Sequence, residues 1–235
     1  MKQLFEFFED KPVTSVLDIG TGGGDFIGLL ARIFPGAQLI GIDPDGTVLS
    51  QARQKLPQEN IQFRQMEAQH LGFPGNSFDV VAVSNALHHL PSPEMSFAEI
   101  KRVVKSSGWI LISELTCDNL TPAQENQKFF HHLRSRIDRL NGIFHRETFS
   151  RQEIFGMATA CGLTVKHHFD FRQWPQPETR PAELQFWIDK MQTNLKRAEG
   201  FAEYDELAAQ AKLFEQRIFE SGFQPATNLV ILAQK

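Results

Sequence analysis

Apolar positions along the first half of this 235-residue chain follow two alternating rhythms. Short runs dense in aliphatic and β-branched residues read as strands: 13–19 (VTSVLDI), 37–43 (AQLIGID), 60–66 (NIQFRQM), 77–84 (SFDVVAVS) and 108–115 (GWILISEL). Between them, 25–34, 46–56 and 93–104 carry apolar residues at helical spacing. The first two of these helices stop at Pro35-Gly36 and Pro57. Strand and helix in alternation predict parallel strands joined by right-handed crossovers, a doubly wound α/β sheet covered on both faces.

After Glu114 the rhythm breaks. Residues 121–140 (TPAQENQKFFHHLRSRIDRL) read as a long polar-aromatic helix, after which 149–162 and 163–171 resume as helix and strand. A second insertion follows and reads as two helices divided at Gly200, and the chain closes on a strand at 226–235. No repeat or low-complexity tract interrupts this order, so 1–235 is expected to form a single domain with insertions at about 117–147 and 174–222.

Composition narrows the chemistry. Hydrophobic residues make up 41% of the chain, charged residues 22%, and the net charge is -4, so the chain sits among ordinary globular proteins. No lysine or arginine run offers a footprint for nucleic acid or an anionic membrane, which directs attention to small-molecule or protein substrates. No apolar stretch approaches the roughly 18 residues of a membrane span, and MKQLFEFFEDKP is too acidic for a signal peptide. Cys117 and Cys161 lack paired spacing, and the His-His pairs lack the spacing of a helical metal site. No disulfide and no metal is therefore expected, and a reducing cytoplasm is the simplest setting.

The stretch LDIGTGGGDF (17–26) sits where the first strand turns into the first helix, the corner where such sheets bind ligands against free backbone N–H groups. A dinucleotide fingerprint, G-x-G-x-x-G, would need glycine or alanine where Asp25 stands, so a nicotinamide oxidoreductase is the disfavoured alternative. The spacing D-x-G-x-G-x-G is met at every position by Asp18, Gly20, Gly22 and Gly24.

With this motif, LIGIDPD, QMEAQHLGFPGNSFDVV and SNALHHLPSPEMSFAEIKRVVKSSGWILISEL in order, the chain resembles the class I S-adenosylmethionine-dependent methyltransferases. Within them it is most similar to the small-molecule group that includes the ubiquinone and menaquinone enzymes. The resemblance covers about residues 13–115. It implies a Rossmann-like seven-stranded sheet, mostly parallel with the last strand antiparallel, and S-adenosylmethionine as cofactor with S-adenosylhomocysteine as product. It also implies cofactor contacts at Asp18, Gly20, Thr21, Gly22, Gly24, Asp43, Pro44, Glu67, Ala68 and Ser84. Asp43 would take the ribose hydroxyls, because a carboxylate accepts two hydrogen bonds from a diol; its competing reading is the N-cap of the helix at 46–56. Glu67 and Ala68 would meet the adenine ring. Gly72 stands where the family usually carries proline, and Ser106-Ser107-Gly108 takes the place of the family's usual Pro-Gly-Gly turn.

His88 and His89 follow the fourth strand and are the candidates for taking a proton from a methyl acceptor; the competing reading makes them framework around the pocket. Sequence runs of the nucleic-acid amino methyltransferases, of the cytosine enzymes and of the metal-dependent catechol enzymes are missing at 84–86, which favours a small-molecule acceptor. A protein that binds the cofactor without turnover is the non-enzyme alternative. With only about a dozen residues ahead of the first strand, a cover for the site is expected from the insertions. Phe129, Phe130, Leu133, Ile137, Leu140 and Phe144, then Phe186, Trp187, Met191, Phe201, Phe214 and Phe219, would line a mobile cap over an apolar acceptor pocket. The competing reading packs these faces on each other or on a second subunit, leaving a homodimer open.

Overall fold

The computed structural model of the chain describes residues 2–235. They divide into two compact units. The first takes in residues 2–114, Gln152–Phe171 and Leu229–Lys235, and the second Leu115–Arg151 and Arg172–Asn228.

The first unit holds a seven-stranded sheet built from β1 (Ser15–Ile19), β2 (Gln38–Asp43), β3 (Ile61–Gln65), β4 (Phe78–Ser84), β5 (Val104–Leu115), β6 (Thr164–Phe171) and β7 (Asn228–Gln234). Strand order is β3-β2-β1-β4-β5-β7-β6, with β7 alone antiparallel, as the family resemblance implies. The helices α1 (Lys2–Phe8), α2 (Asp25–Ile33), α3 (Gly46–Lys55), α4 (Pro93–Val103) and α6 (Arg151–Ala160) belong with it. Central strands β1 and β4 bury nearly every residue, as a sheet covered on both faces requires, and Leu4, Phe8, Ile27, Leu30, Leu39, Leu49, Val80 and Leu111 share one core. The order reverses between β1 and β4, so the crevice at their carboxyl ends is the place where this architecture binds ligands.

Two local features differ from the sequence reading. The short helix α1 precedes β1, with Phe8 packed edge-on to Phe34 at 5.0 Å. In addition, Ser106-Ser107-Gly108 is not a turn: β5 runs through it, with a register irregularity opposite Phe78–Val80. A Cβ on Gly108 would lie 2.9 Å from the Asp79 carbonyl oxygen, so only glycine lets the two strands close there. Lys235 Nζ donates to the carbonyl oxygens of Lys101 (3.0 Å) and Val104 (2.6 Å), tying the last residue of the chain to the start of the same strand.

In the second unit, α5 (Pro122–Leu140), α7 (Pro181–Lys196) and α8 (Tyr204–Ser221) pack together. A capping box starts α5: Thr121 accepts from the Gln124 N–H, and the Gln124 side chain accepts from the Thr121 N–H. Phe130, Leu133, Ile137, Met191 and Phe214 share this unit's core, with Phe129, Leu140 and Trp187 at its edge. Phe144, Phe186, Phe201 and Phe219 stay exposed. Buried Asn126 fixes the seam, donating to the Arg217 (3.0 Å) and Gly222 (2.8 Å) carbonyl oxygens. Asp138 faces His145 Nδ1 at 2.6 Å and Arg197 at 2.7 Å. Burial alone would raise its pKa, but the hydrogen bonds from His145 and Arg197, with Arg134 nearby, hold it at about 2. Among the described residues no helix is long and apolar enough to cross a membrane.

Candidate active site

The loop after β1 is held open by its own backbone. Gly20, Gly22 and Gly24 take φ of 68°, 50° and 85°, the left-handed region in which a side chain costs free energy. Gly20 also has no room: a Cβ there would lie 2.5 Å from Ala86 Cβ, so the loop touches the turn after β4. Cβ atoms at Gly22 and Gly23 would meet nothing within 4 Å, leaving the peptide groups before α2 bare to a ligand. Thr21 closes the loop from beneath, its N–H donating to the Ile42 carbonyl at 2.9 Å and its hydroxyl to Asp18 Oδ2 at 2.7 Å.

Asp18 is 1% exposed, and its Oδ1 has no hydrogen-bond partner. Burial drives its pKa up to about 7; the Thr21 hydroxyl opposes the shift and the Asp43 carboxylate reinforces it. A buried acid with one bare oxygen, beside a second acid, is a site prepared for positive charge.

Asp43 ends β2 and joins the loop, its Oδ2 accepting from the Gly22 N–H at 3.0 Å and its Oδ1 from the Asp45 N–H at 3.0 Å. It is not the N-cap of α3. That role falls to Asp45, whose side chain accepts from the Thr47 N–H at 2.8 Å. Each Asp43 oxygen keeps acceptor capacity beyond its one backbone bond, enough for a pair of hydroxyls. The chain after β3 comes to the same edge: the Met66 N–H donates to the Asp43 carbonyl at 3.2 Å, and the Gln65 side chain to the Pro44 carbonyl at 2.8 Å. Glu67 follows, exposed, and Ala68, buried.

Past β4, Ser84 lies in register with Ser113, and Asn85 turns the chain with φ 47° while its N–H donates to the Ser113 carbonyl at 2.7 Å. Residues Leu87–His89 then form one 3-10 turn. His88 is 5% exposed, and its Nδ1 lies 3.0 Å from Glu114 Oε1; Oε2 of the same carboxylate accepts from the Leu87 N–H at 2.9 Å. The His89 ring leans on His88, with centroids 4.4 Å apart.

The structure thus brings Asp18, Gly20, Thr21, Gly22, Gly24, Asp43 and the turn after Ser84 to one edge, with Pro44, Glu67 and Ala68 on the flanking segments. Glu114 escaped the sequence reading. Its signal was a lone acid at the end of an otherwise apolar strand, ILISEL, where a buried carboxylate needs donors. The residues fit an adenosyl cofactor: open glycine backbone, an acid with spare acceptor capacity for a diol, and the partnerless oxygen of Asp18.

Comparison with known proteins agrees. Residues 17–112 match a family described as a methyltransferase domain. The ubiquinone/menaquinone biosynthesis C-methyltransferase UbiE of Teredinibacter turnerae is 32% identical over 111 residues, 45% of this chain and 45% of that protein. The demethylmenaquinone methyltransferase of Lactobacillus johnsonii is 32% identical over 118 residues, 48% of each. Both matches span a little under half the length of those relatives. A solved structure from Bacillus halodurans, itself assigned to the methyltransferases only provisionally, aligns with 100% of this chain and 97% of its own; the TM-score is 0.68 at 19% identity. That likeness is one of fold.

Proposed function

We propose that residues 17–112, which match a family described as a methyltransferase domain, form a methyltransferase domain of the class I S-adenosylmethionine-dependent kind, and that the chain methylates a small-molecule acceptor. When bound, S-adenosylmethionine supplies a sulfonium methyl that departs from sulfur toward a nucleophile in line with the C–S bond. One observation carries the reading: an open Gly22–Gly23 backbone is tied through the Gly22 N–H to the Asp43 carboxylate at the switch point of the sheet.

Each part has a physical task. The Asp43 carboxylate holds the ribose diol and keeps the glycine loop in shape. Pro44, Glu67 and Ala68 line the place for the adenine, and Ser84 closes the edge toward β4. Asp18, buried with a bare Oδ1 beside the Asp43 carboxylate, would favour a cationic group bound at this edge. A leaving group that becomes neutral lets positioning and exclusion of water supply much of the acceleration. Names among the relatives favour a small acceptor: one is a C-methyltransferase of ubiquinone/menaquinone biosynthesis and another a demethylmenaquinone methyltransferase.

Isothermal calorimetry against S-adenosylmethionine, S-adenosylhomocysteine and NAD tests the donor, with micromolar binding expected for the adenosyl pair alone. Metabolite extracts incubated with methyl-labelled donor then give the acceptor. Tight NAD binding without adenosyl binding overturns the reading, and donor binding with no labelled product leaves a binding protein in its place.

A further inference from the structure

A loop that receives a purine needs a fixed backbone, and residues 66–77, between β3 and β4, have neither helix nor strand to supply one. Ala68, Leu71 and Phe73 within it are nevertheless buried. Backbone groups carried inward with such residues need partners. Two side chains one turn apart on α4 provide them. Glu99 Oε2 accepts from the Leu71 N–H at 2.8 Å, while Arg102 donates to the Leu71 carbonyl from Nη2 and to the Phe73 carbonyl from Nη1, each at 2.7 Å. Arg102 also holds Glu99 with both prongs of its fork, Nε to Oε1 at 2.6 Å and Nη2 to Oε2 at 2.7 Å.

An ion pair of this i, i+3 kind contributes little to stability by itself. Its reach into the loop gives it a different task. At the near end of the loop the Met66 N–H is tied to the Asp43 carbonyl at 3.2 Å, and at the far end the N–H groups of Asn76 and Ser77 donate to the carbonyls of Arg102 (3.0 Å) and Val103 (2.7 Å). Glu67, Ala68, Gln69 and His70 are thus slung between the strand that ends in Asp43 and Leu71, both of whose backbone groups α4 holds. They close on themselves through the His70 N–H on the Glu67 carbonyl at 3.2 Å. The arrangement requires a guanidinium, because a lysine ammonium has no planar fork to serve a carboxylate and two carbonyls together.

We propose that Glu99 and Arg102 are positioning residues for donor recognition: through Leu71 and Phe73 they set the backbone at Glu67 and Ala68 so that it distinguishes adenine from other purines. This deepens the proposed function and rests on its placing of the adenine at Glu67 and Ala68. Adenine offers a bare N1 and an amino group at C6, a match for a backbone N–H and a carboxylate side by side. Hypoxanthine reverses both, with a hydrogen on N1 and a carbonyl oxygen at C6. A site whose donor and acceptor are held in place rejects such a reversal, and one whose backbone is free to shift rejects it less. The ribose, by the same reading, is held by Asp43, so the α4 clamp acts on the base and leaves the sugar contacts as they are.

The readout is the ratio of dissociation constants for S-inosylhomocysteine and S-adenosylhomocysteine in calorimetry. The parent is expected to bind the adenosyl compound about tenfold tighter or more. Arg102→Lys and Glu99→Gln are expected to weaken the adenosyl compound about tenfold and the inosyl compound less, so that the ratio falls by about threefold or more. A parent ratio near one overturns the proposal. So do variants that keep the parent ratio, whether both affinities stay or fall in proportion, because a clamp that only supports the fold would act that way. Amide hydrogen exchange on the parent needs no variant: the Leu71 N–H is expected to be protected without ligand, and the Ala68 N–H to gain protection from the adenosyl compound but not from the inosyl one. A Leu71 N–H that exchanges at the unfolded-chain rate, or an Ala68 N–H indifferent to the base, overturns the proposal equally. If the parent binds neither compound, the methyltransferase reading fails and this inference with it. If it binds the adenosyl compound and the ratio or exchange test fails, this inference fails alone.

Discussion

Replacing Asp18 by asparagine separates the electrostatic cost of the site from its packing. Asp18 is fully buried, and its carboxyl stands near pH 7 where an exposed one titrates near 3.8. Between those values the folded state holds a proton that the unfolded chain has lost, so stability falls as pH rises. The contribution is whole below about pH 4 and gone once pH has passed through 7. A shift of that size is worth about 4 kcal/mol, at ~1.4 kcal/mol per tenfold, and about 3 kcal/mol of it falls between pH 5 and pH 8. Asp18→Asn cannot ionise, so that slope should vanish. Its amide oxygen can still accept the Thr21 hydroxyl, while its NH2 would sit where Oδ1 now lacks a partner, costing about 1–3 kcal/mol at every pH. The readout is therefore the slope and not the level. Urea unfolding without ligand at pH 5, 6, 7 and 8 is expected to give parent and variant curves that converge toward pH 8, where the parent has lost its advantage. Parallel curves would show that Asp18 titrates alike in the folded and unfolded chains, and the account of a site prepared for positive charge would be wrong.

Four further outcomes are expected. Asp43→Ala removes two charge-assisted acceptors for hydroxyls and should weaken S-adenosylhomocysteine binding by about 2–3 kcal/mol in calorimetry. Asp45→Ala should instead cost about 1 kcal/mol of folding stability through the lost helix cap, with binding within twofold of the parent. Gly20→Ala must accommodate both a φ of 68° and a Cβ 2.5 Å from Ala86 Cβ, so thermal unfolding should show a loss of about 2–4 kcal/mol, and calorimetry a loss of donor binding. Asp79 is held well below the ordinary carboxylate range: partial burial opposes this, but Lys105, Thr14 and Ser15 donate to it and prevail. Its stabilisation is whole above about pH 4 and shrinks as pH falls toward the folded pKa, so Asp79→Asn should cost about 2 kcal/mol at pH 7 and clearly less at pH 2 in urea titrations.

The parts of the fold that the sequence made legible are those whose signal is local. Strand and helix follow each other through β5 as the apolar rhythm predicts, because each element buries one face within the same layered core. The glycine loop was legible for the same reason: three left-handed residues and a close approach to Ala86 are demands on backbone, and glycine answers them in a way the sequence prints. Asp43 was legible by position, but not its tie to Gly22, nor that Asp45 would take the cap two residues later. The strand through Ser106–Gly108 was misread as a turn because Ser-Ser-Gly is turn chemistry in isolation. What overrides it is the tight approach of Gly108 to the Asp79 carbonyl, a contact made across strands.

Function beyond the donor lives in such cross-strand contacts, and this is why the acceptor stays out of reach of pattern. His88 and Glu114 are separated by 26 positions, and nothing in either segment names the other; only the register of β4 against β5 makes them a pair. The apolar spacing of α5 illustrates the same point from the opposite side. Phe130, Leu133 and Ile137 recur as a pocket wall would, yet they share a core with Met191 and Phe214 inside their own unit, so a helix-to-helix seam accounts for the spacing of these three, while Phe144 stays exposed. Burial has no preference between a ligand and a neighbouring helix. The groups that pattern misses are polar ones buried by their partners, as Glu114 is, with one oxygen on the Leu87 backbone N–H and the other on the His88 ring.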